Sequence, residues 1–458
     1  MSFHASPDEA AARDHFQIAA IVLLAVAMIL GGSSTDPLSA GIVRFIASPV
    51  LAFSLWRLSR RPLGAVPLSG LLLLALGAGL TLLQLIPLPP EVWSALPQRA
   101  IVVEGYRAAG MALPWAPLSL TPDRTLNAGL ALLPPAAMFC AALSLSAAAR
   151  RRLAIAAMIL AAASIALGMA QLAGGASSPL RFQQPANLDA AVGFFANRNH
   201  QAVLLVAAIP LAALLASQGR GAARGSNLFW MLAAVGVVLI LVVGLSVSKS
   251  RAGVILLAPA AIGALLVAWP RARRMTQDGT PHGLPALGML AAIAGGVALV
   301  VLFNLTPLAD RFDARVDKDT RWEVAPTVAQ LGADYGPLGS GLGSFRAVYE
   351  VHEAPERVTP TYINHAHDDF LEIWLEAGWP GVALIAAFLV WWISATLAAL
   401  RGGRGQGISM ALAGSTVIGL LLAHSVADYP LRTPALATLF ALACAMVAGA
   451  VPPRLRET

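Results

Sequence analysis

Residues 381–400 read Gly-Val-Ala-Leu-Ile-Ala-Ala-Phe-Leu-Val-Trp-Trp-Ile-Ser-Ala-Thr-Leu-Ala-Ala-Leu and contain no charged side chain. A helix needs about 20 apolar residues to cross the hydrocarbon core of a bilayer, and this stretch supplies them. The whole chain has the same character, because hydrophobic residues make up 57% of its 458 residues and charged residues only 12%. A soluble domain carries about 25% charged residues. The composition therefore predicts an all-α integral membrane protein.

Other stretches of the chain also have the length and apolar character of a membrane span. The predicted spans are 18–32, 38–57, 65–87, 127–147, 153–173, 200–216, 228–246, 252–269, 285–304, 379–400, 408–426 and 435–450. The first span follows acidic residues and has no convincing cleavage site of small residues, so we expect a membrane helix rather than a secretory signal. The expected fold is a bundle of about 12 transmembrane helices.

Arginine residues divide the connections between these spans into two sets. On one side the connections are short and basic, and they carry Arg57, Arg60, Arg61, Arg150, Arg151, Arg152, Arg220, Arg224, Arg271, Arg273, Arg274, Arg401, Arg404, Arg454 and Arg456. The connections on the other side are longer, include 88–126 and 174–199, and carry most of the acidic residues. The positive-inside rule puts the basic side in the cytoplasm, and both chain termini lie with it.

Residues 305–378 form the one long polar stretch of the chain. About 70 residues is far more than a connection between two spans requires, so we expect the chemistry of the protein in this external loop. Its last part, residues 364–378, is predicted to form a short helix. Asn364 is the expected N-cap, and Asp368 and Asp369 then lie in or near the first turn, where the helix dipole favours anions.

His365 and His367 lie near the expected boundary between water and membrane, and three roles are open to them. They could be polar surface, a pair of metal ligands, or a general base. A metal site is weaker, because no second His or Cys cluster lies outside the membrane; His424 and Asp428 are the only distant candidates. A general base fits better, because neutral imidazole accepts a hydroxyl proton near physiological pH.

Several cations are exceptions to the positive-inside rule, because they lie on the acidic side of the membrane. Each of them alone could be a surface or headgroup residue. Together they bring positive charge to one membrane boundary, and arginine offers a permanently charged fork of donors that suits phosphate oxygens. The predicted diphosphate-binding set is Arg198, Arg251, Arg321, Lys249, Asn197 and Asn199.

Four segments together resemble the O-antigen ligase and O-antigen polymerase superfamily of bacterial envelopes. They are Gly193-Phe-Phe-Ala-Asn-Arg-Asn-His200, Ser248-Lys-Ser-Arg-Ala-Gly253, Arg321-Trp322 followed by Pro337-Leu-Gly-Ser-Gly-Leu-Gly-Ser-Phe345, and His365-Ala-His-Asp-Asp-Phe-Leu-Glu-Ile-Trp-Leu-Glu-Ala-Gly-Trp-Pro-Gly381. The last segment is the most specific. The resemblance implies a membrane glycosyltransferase of the GT-C type, which takes a glycan from undecaprenyl diphosphate on the periplasmic side of the bacterial inner membrane.

The resemblance leaves the acceptor open. Ligases of the superfamily transfer the glycan to lipid A–core sugar, polymerases to another lipid-linked repeat, and relatives to protein hydroxyls. Arg321 and Gly332 fit the Arg-x10-Gly spacing cited for polymerases, which does not decide the branch. Partners implied are the lipid-linked donor, a lipid A–core or saccharide acceptor and membrane lipid, without nucleic acid.

The resemblance also implies roles for residues 364–378, the histidine segment. It places the catalytic base at His367, immediately before the position where the family usually has Asn and this chain has Asp368; His365 stays open as an alternative. Glu372 or Glu376 is expected to orient the base. We expect an inverting reaction that uses neither a metal ion nor another cofactor, because fixed arginines can stabilise the leaving diphosphate.

The main alternative outside this class is a multi-span solute transporter. Transporters place polar residues within the spans near the midplane, whereas this chain concentrates them in outer loops, which favours an enzyme. The expected sections of the chain are 1–190, N-terminal spans with the periplasmic loop 88–126; 191–304, spans with the outer arginine motifs; 305–378, the large periplasmic loop with the catalytic segment; and 379–458, the C-terminal spans.

Overall fold

The computed structural model describes residues 7–33, 36–183, 185, 187–215, 224–272, 295, 320–355, 358, 362–402 and 406–451. The helices among these residues are α1 (Pro7–Leu30), α2 (Pro37–Ser59), α3 (Ala65–Leu85), α4 (Pro90–Trp93), α5 (Ala100–Ala108), α6 (Pro122–Leu130), α7 (Leu133–Ser144), α8 (Ala147–Ala173), α9 (Arg198–Ala213), α10 (Arg224–Ser248), α11 (Arg251–Ala272), α12 (Thr320–Asp334), α13 (Phe345–His352), α14 (Asp369–Gly402), α15 (Gln406–His424) and α16 (Pro434–Ala448). Two short strands, β1 (Pro87–Leu88) and β2 (Ala116–Pro117), pair antiparallel between α3 and α6.

Seven helices of the described part are long and apolar enough to cross a membrane. They are Pro37–Ser59, Ala65–Leu85, Pro122–Ser144 (α6 and α7 taken together), Ala147–Ala173, Arg251–Ala268, Asp369–Gly402 and Gln406–His424, with shorter apolar helices at His15–Leu30, Leu232–Ser248 and Pro434–Ala448. The prediction of an all-α, multi-pass membrane protein is therefore confirmed. The predicted span 200–216 forms helix α9, and the predicted span 285–304 lies almost entirely outside the described residues. The total of about 12 spans stays a prediction.

Helix α9 occupies the centre of the bundle. Its residues from Asn199 to Ala213 are all buried, and it packs against α8, α10, α11 and α15. A helix that is apolar on every side is stable only when neighbours surround it. Helix α3 has the opposite surroundings, because its Leu68, Leu72 and Leu76 are largely exposed, as leucines that face lipid tails would be. The position of α9 brings its first residues into the interior of the protein.

The predicted cytoplasmic connections contact one another in the structure. Arg61 donates to the carbonyl of Ser144 over 2.8 Å, at the C-terminal end of α7. Arg150 donates to the carbonyl of Gly449 over 2.8 Å, at the C-terminal end of α16. Cations are favoured at helix C-termini, whose last carbonyls have no partner within the helix. These contacts gather the basic connections, while their cytoplasmic location stays a prediction.

The last helix of the long loop begins later than the sequence indicates. Its predicted start at Asn364 is wrong, because α14 begins at Asp369. Asp368 is the N-cap, and its Oδ1 accepts hydrogen bonds from the backbone N–H groups of Phe370 (2.8 Å) and Leu371 (3.0 Å). His367 has a φ of 54°, in the left-handed region, so the helix cannot extend back through it.

Helix α14 is kinked at Gly378, where the sequence predicts that the polar segment ends and the span begins. Gly378 has φ 55° and ψ −146°, and a Cβ there would lie 2.2 Å from the carbonyl oxygen of Pro337, so only glycine fits. The kink frees carbonyl groups in the preceding turn. Backbone N–H groups of Ser340 and Gly341 bind two of them, those of Leu375 (3.0 Å) and Glu376 (2.9 Å).

Candidate functional site

The candidate site lies where the histidine segment meets the connection between α15 and α16. The backbone N–H of Asp369 donates to the carbonyl of Ser425 over 2.9 Å, and the Ser425 hydroxyl donates to Asp369 Oδ2 over 2.8 Å. These bonds fix the start of α14 against the end of α15. The side chains of His365 and His367, just before this junction, therefore face the segment from Asp428 to Arg432.

His367 is paired with Asp428. Its Nδ1 lies 3.3 Å from Asp428 Oδ1, and the imidazole keeps 25% of its surface exposed whereas the carboxylate is fully buried. A carboxylate at one ring nitrogen favours the tautomer with the proton on that nitrogen, which leaves the other nitrogen free to accept a proton. The pair thus has the geometry of a general base and its orienting group.

Asparagine side chains hold the buried Asp428 carboxylate. Asn199 Nδ2 donates to Asp428 Oδ2 over 2.8 Å, and Asn197 Nδ2 lies 3.2 Å from the same oxygen. His200 Nε2 lies 3.5 Å from Oδ1. Burial raises the pKa of Asp428, but His200 and His367 beside it outweigh this effect and hold the pKa well below its usual range. Asp428 is therefore a permanent negative charge next to His367.

His365 is paired with a different carboxylate. Its Nδ1 lies 2.9 Å from Glu372 Oε1, while Glu372 Oε2 accepts a hydrogen bond from the backbone N–H of Ala366 over 2.9 Å. The expectation that Glu372 or Glu376 orients His367 is thus corrected, because Asp428 has that place. The two histidines also face separate carboxylates, Glu372 and Asp428. Among the described residues, no group of three or more His, Cys, Asp or Glu side chains could hold a metal ion.

Arg432 lies among three carboxylates of α14. Its Nη1 is 3.1 Å from Glu372 Oε1 and 3.0 Å from Glu376 Oε2, and its Nε is 3.5 Å from Asp369 Oδ1. Burial lowers the pKa of Arg432, but the three carboxylates outweigh it and raise the pKa above its usual value. Glu376 Oε1 also accepts a hydrogen bond from the backbone N–H of Phe345. Removing one member of such a buried cluster costs about 3–5 kcal/mol, since its partners keep uncompensated charge.

Tyr429 lies between the histidines. Its ring centroid is 4.2 Å from that of His365, 5.0 Å from that of His367 and 5.0 Å from that of His200. Burial, aided by the negative charge of Asp428, raises the pKa of the Tyr429 phenol to about 12. The phenol therefore stays protonated at neutral pH, and its oxygen accepts a hydrogen bond from the side chain of Asn364 over 3.3 Å.

The predicted cations of segments 193–200 and 248–253 lie beside this site. Arg198 and Arg251 are the first residues of α9 and α11, and the helix starts are joined by a 2.8 Å hydrogen bond from Ser250 Oγ to Asn199 Oδ1. Lys249 Nζ lies 3.1 Å from Asp189 Oδ2. This hydrogen bond and the nearby charge of Arg198 lower the pKa of Asp189.

Two predicted diphosphate-binding residues contact a protein carboxylate, and the side chain of a third is not described. Asn197 and Asn199 direct their amide groups at Asp428, beside the predicted diphosphate site. Arg321 is the second residue of α12, and its side chain lies outside the described part of the structure. Gly332, also on α12, is explained by packing, because a Cβ there would lie 2.0 Å from the ring of Trp374.

Sequence reasoning missed Arg432 and Tyr429, and it weighed Asp428 only as a metal ligand. One signal for Arg432 was present, since it is a further arginine on the acidic side of the predicted topology. Nothing local indicates that Arg432 approaches Glu376, which lies 56 positions earlier in the chain.

Comparison with known proteins supports the resemblance. Residues 236–386 match the model of a protein family described as O-Antigen ligase. The matched range includes the Lys249–Arg251 turn and the whole histidine segment, and it ends before Asp428 and Arg432. No curated protein matches the chain. Residues 236–386 are therefore similar to the O-antigen ligase family, and the match supports the resemblance of this chain to the O-antigen ligase and O-antigen polymerase superfamily.

Proposed function

We propose that this protein is an O-antigen ligase that transfers a glycan from undecaprenyl diphosphate to a hydroxyl of lipid A–core sugar on the periplasmic face of the inner membrane. The observation that carries the proposal is the His367–Asp428 pair, with 3.3 Å between Nδ1 and Oδ1, beside the cationic starts of α9 and α11. The family match supports the class of reaction.

His367 acts as the base in this reaction. Asp428 holds the proton on Nδ1, so Nε2 accepts the proton of the acceptor hydroxyl. The hydroxyl oxygen attacks the anomeric carbon of the donor as the bond from that carbon to the diphosphate oxygen breaks. The electron pair of this bond leaves with the diphosphate, and attack from the opposite face inverts the anomeric configuration. The partial exposure of His367 suits contact with a large saccharide.

The outer cations stabilise the leaving group. Arg198, Arg251 and Lys249 of the described part, together with Arg321, supply the positive charge that the departing diphosphate requires. Fixed guanidinium groups provide this stabilisation without a metal ion. Asn197 and Asn199 act on the base indirectly, because their amide groups bind Asp428, the carboxylate that orients His367.

A deletion strain tests the acceptor. Loss of a ligase leaves lipid A–core without any repeat unit on a lipopolysaccharide gel, while long glycan accumulates on the lipid carrier. Loss of a polymerase leaves lipid A–core that carries a single repeat unit, and loss of a protein O-oligosaccharyltransferase leaves the lipopolysaccharide unchanged. The first pattern is expected, and restoration by the parent gene but not by His367→Ala links it to the proposed base.

A further inference from the structure

One short segment supports both histidine–carboxylate pairs. Asp428 contacts His367 directly, with 3.3 Å between Oδ1 and Nδ1. Four residues later Arg432 contacts Glu372, the carboxylate of His365, with 3.1 Å between Nη1 and Oε1. Asp428 has an evident role beside the base, whereas Arg432 touches neither histidine in these contacts. Direct contact with a histidine therefore does not explain why an arginine is buried at position 432.

Arg432 permits three acidic residues to share one face of α14. Asp369, Glu372 and Glu376 follow one another at steps of three and four, so they project from the same side of the helix and repel one another. All three are buried. Arg432 lies within 3.5 Å of an oxygen of each of them and supplies the compensating charge. Without it, the negative charges would separate or take up protons.

Glu372 connects this cluster to the backbone before His367. Ala366 immediately precedes His367. Glu372 Oε2 accepts a hydrogen bond from the backbone N–H of Ala366 over 2.9 Å. On the other side, the backbone N–H of Asp369 is fixed to Ser425. Between these two restraints His367 has a φ of 54°, a conformation that non-glycine residues keep only where their surroundings impose it. A displaced Glu372 would release one of the two restraints.

We propose that Arg432 is a positioning residue for His367. It holds Glu372 in the position from which that carboxylate binds the Ala366 N–H, and so it fixes the base where Asp428 can orient it. This inference rests on the proposed function, since it assigns His367 the role of base. It predicts that Arg432 governs the rate of the chemical step and leaves donor binding unchanged, because Arg432 acts through Glu372 and not through the substrate.

Purified protein in nanodiscs, with a synthetic undecaprenyl diphosphate glycan and a lipid A–core acceptor, provides the test. For Arg432→Lys we expect kcat to fall about tenfold or more, with the KM for the donor within about twofold of the parent, because one ammonium cannot reproduce the fork that binds the carboxylates. Glu372→Gln keeps a carbonyl oxygen for the Ala366 N–H and should retain more activity than Glu372→Leu. Arg150→Lys is the matched control, a buried arginine that caps carbonyls at the other end of the bundle.

The outcomes separate a positioning role from a structural one. Thermal unfolding measured on the same samples identifies any variant that does not fold; if Arg432→Lys fails to fold, the two Glu372 variants carry the test. A folded Arg432→Lys with the parent kcat overturns the proposal, and so does a change confined to the donor KM. Equal activity of Glu372→Gln and Glu372→Leu also overturns it. If His367→Ala transfers glycan at the parent rate, the assignment of His367 as the base has failed, and if the parent protein transfers no glycan to this acceptor, the proposed function itself has failed; both results are distinct from those of the Arg432 and Glu372 variants.

Discussion

His367 Nδ1 and Asp428 Oδ1 lie 3.3 Å apart, although 61 positions separate the two residues in the chain. The imidazole comes from the loop before α14 and the carboxylate from the connection between α15 and α16. Each half is incomplete alone, since the carboxylate is fully buried and cannot meet a substrate, and the imidazole needs a partner to set its tautomer.

Replacement of His367 by alanine should slow glycan transfer by about 10²–10⁴-fold, the range that general-base catalysis supplies. Insertion of the protein and binding of the lipid-linked donor should be unchanged. The measurement is the rate of glycan transfer by equal amounts of purified protein, with His365→Ala as the comparison. If His365→Ala is inactive while His367→Ala transfers at the parent rate, the base is His365 with its partner Glu372.

Asp428→Asn should cost at least about 10²-fold in kcat, because an amide in this place no longer fixes the proton on Nδ1 of His367. The shape of the side chain is nearly unchanged, so binding of the donor should be retained. Steady-state kinetics on both substrates separate the two effects. A parent-like kcat in Asp428→Asn would show that the carboxylate only fills space beside His200 and Asn199.

Lysine in place of Arg321 should abolish most activity although the charge is kept, since a point charge cannot bind two phosphate oxygens as a guanidinium does. Arg198→Lys and Arg251→Lys should raise the donor KM or lower kcat in the same assay. The control is Lys249→Arg, which keeps a cation at the α10–α11 turn and should lose less. Near-normal turnover in Arg321→Lys would remove this residue from the diphosphate site.

Gly332→Val should destabilise the protein, because even the first added carbon, Cβ, would lie only 2.0 Å from the Trp374 ring. Overpacking of this kind costs about 1–3 kcal/mol. The measurement is the thermal midpoint of detergent-solubilised protein. Trp374→Leu in the same chain should restore part of the loss by opening space. An unaltered midpoint in Gly332→Val would contradict the packing explanation and favour a direct role of this glycine in polymer formation.

Cysteine labelling should place the long loop outside the cytoplasm. In a background without Cys140 and Cys444, both of which are buried, Val351→Cys should react with a membrane-impermeant reagent in cells with a permeabilised outer membrane. Val351 is suitable because 61% of its surface is exposed. Arg60→Cys, on the predicted cytoplasmic side, should react only after the inner membrane is opened. The reverse pattern would invert the topology.

Much of this architecture can be predicted from the sequence, for a physical reason. Membrane helices are long local signals, so the apolar run at 381–400 determines its span without knowledge of its neighbours. The site can be located for a similar reason, since His365, His367 and the outer arginines are polar exceptions in an apolar chain. These residues can be recognised from the sequence alone, and so can Gly378, where α14 is kinked.

The partners of these residues were decided by the tertiary structure alone. Glu372, five positions from His367, was one of the two expected orienting groups, together with Glu376. His367 instead has a left-handed φ and its imidazole contacts Asp428, whereas Glu372 pairs with His365. Arg432 reaches its carboxylates because α15 returns the chain to the start of α14. Sequence patterns report the preferences of one segment at a time. The pairing of charges from distant segments depends on how helices pack, and only packing shows it.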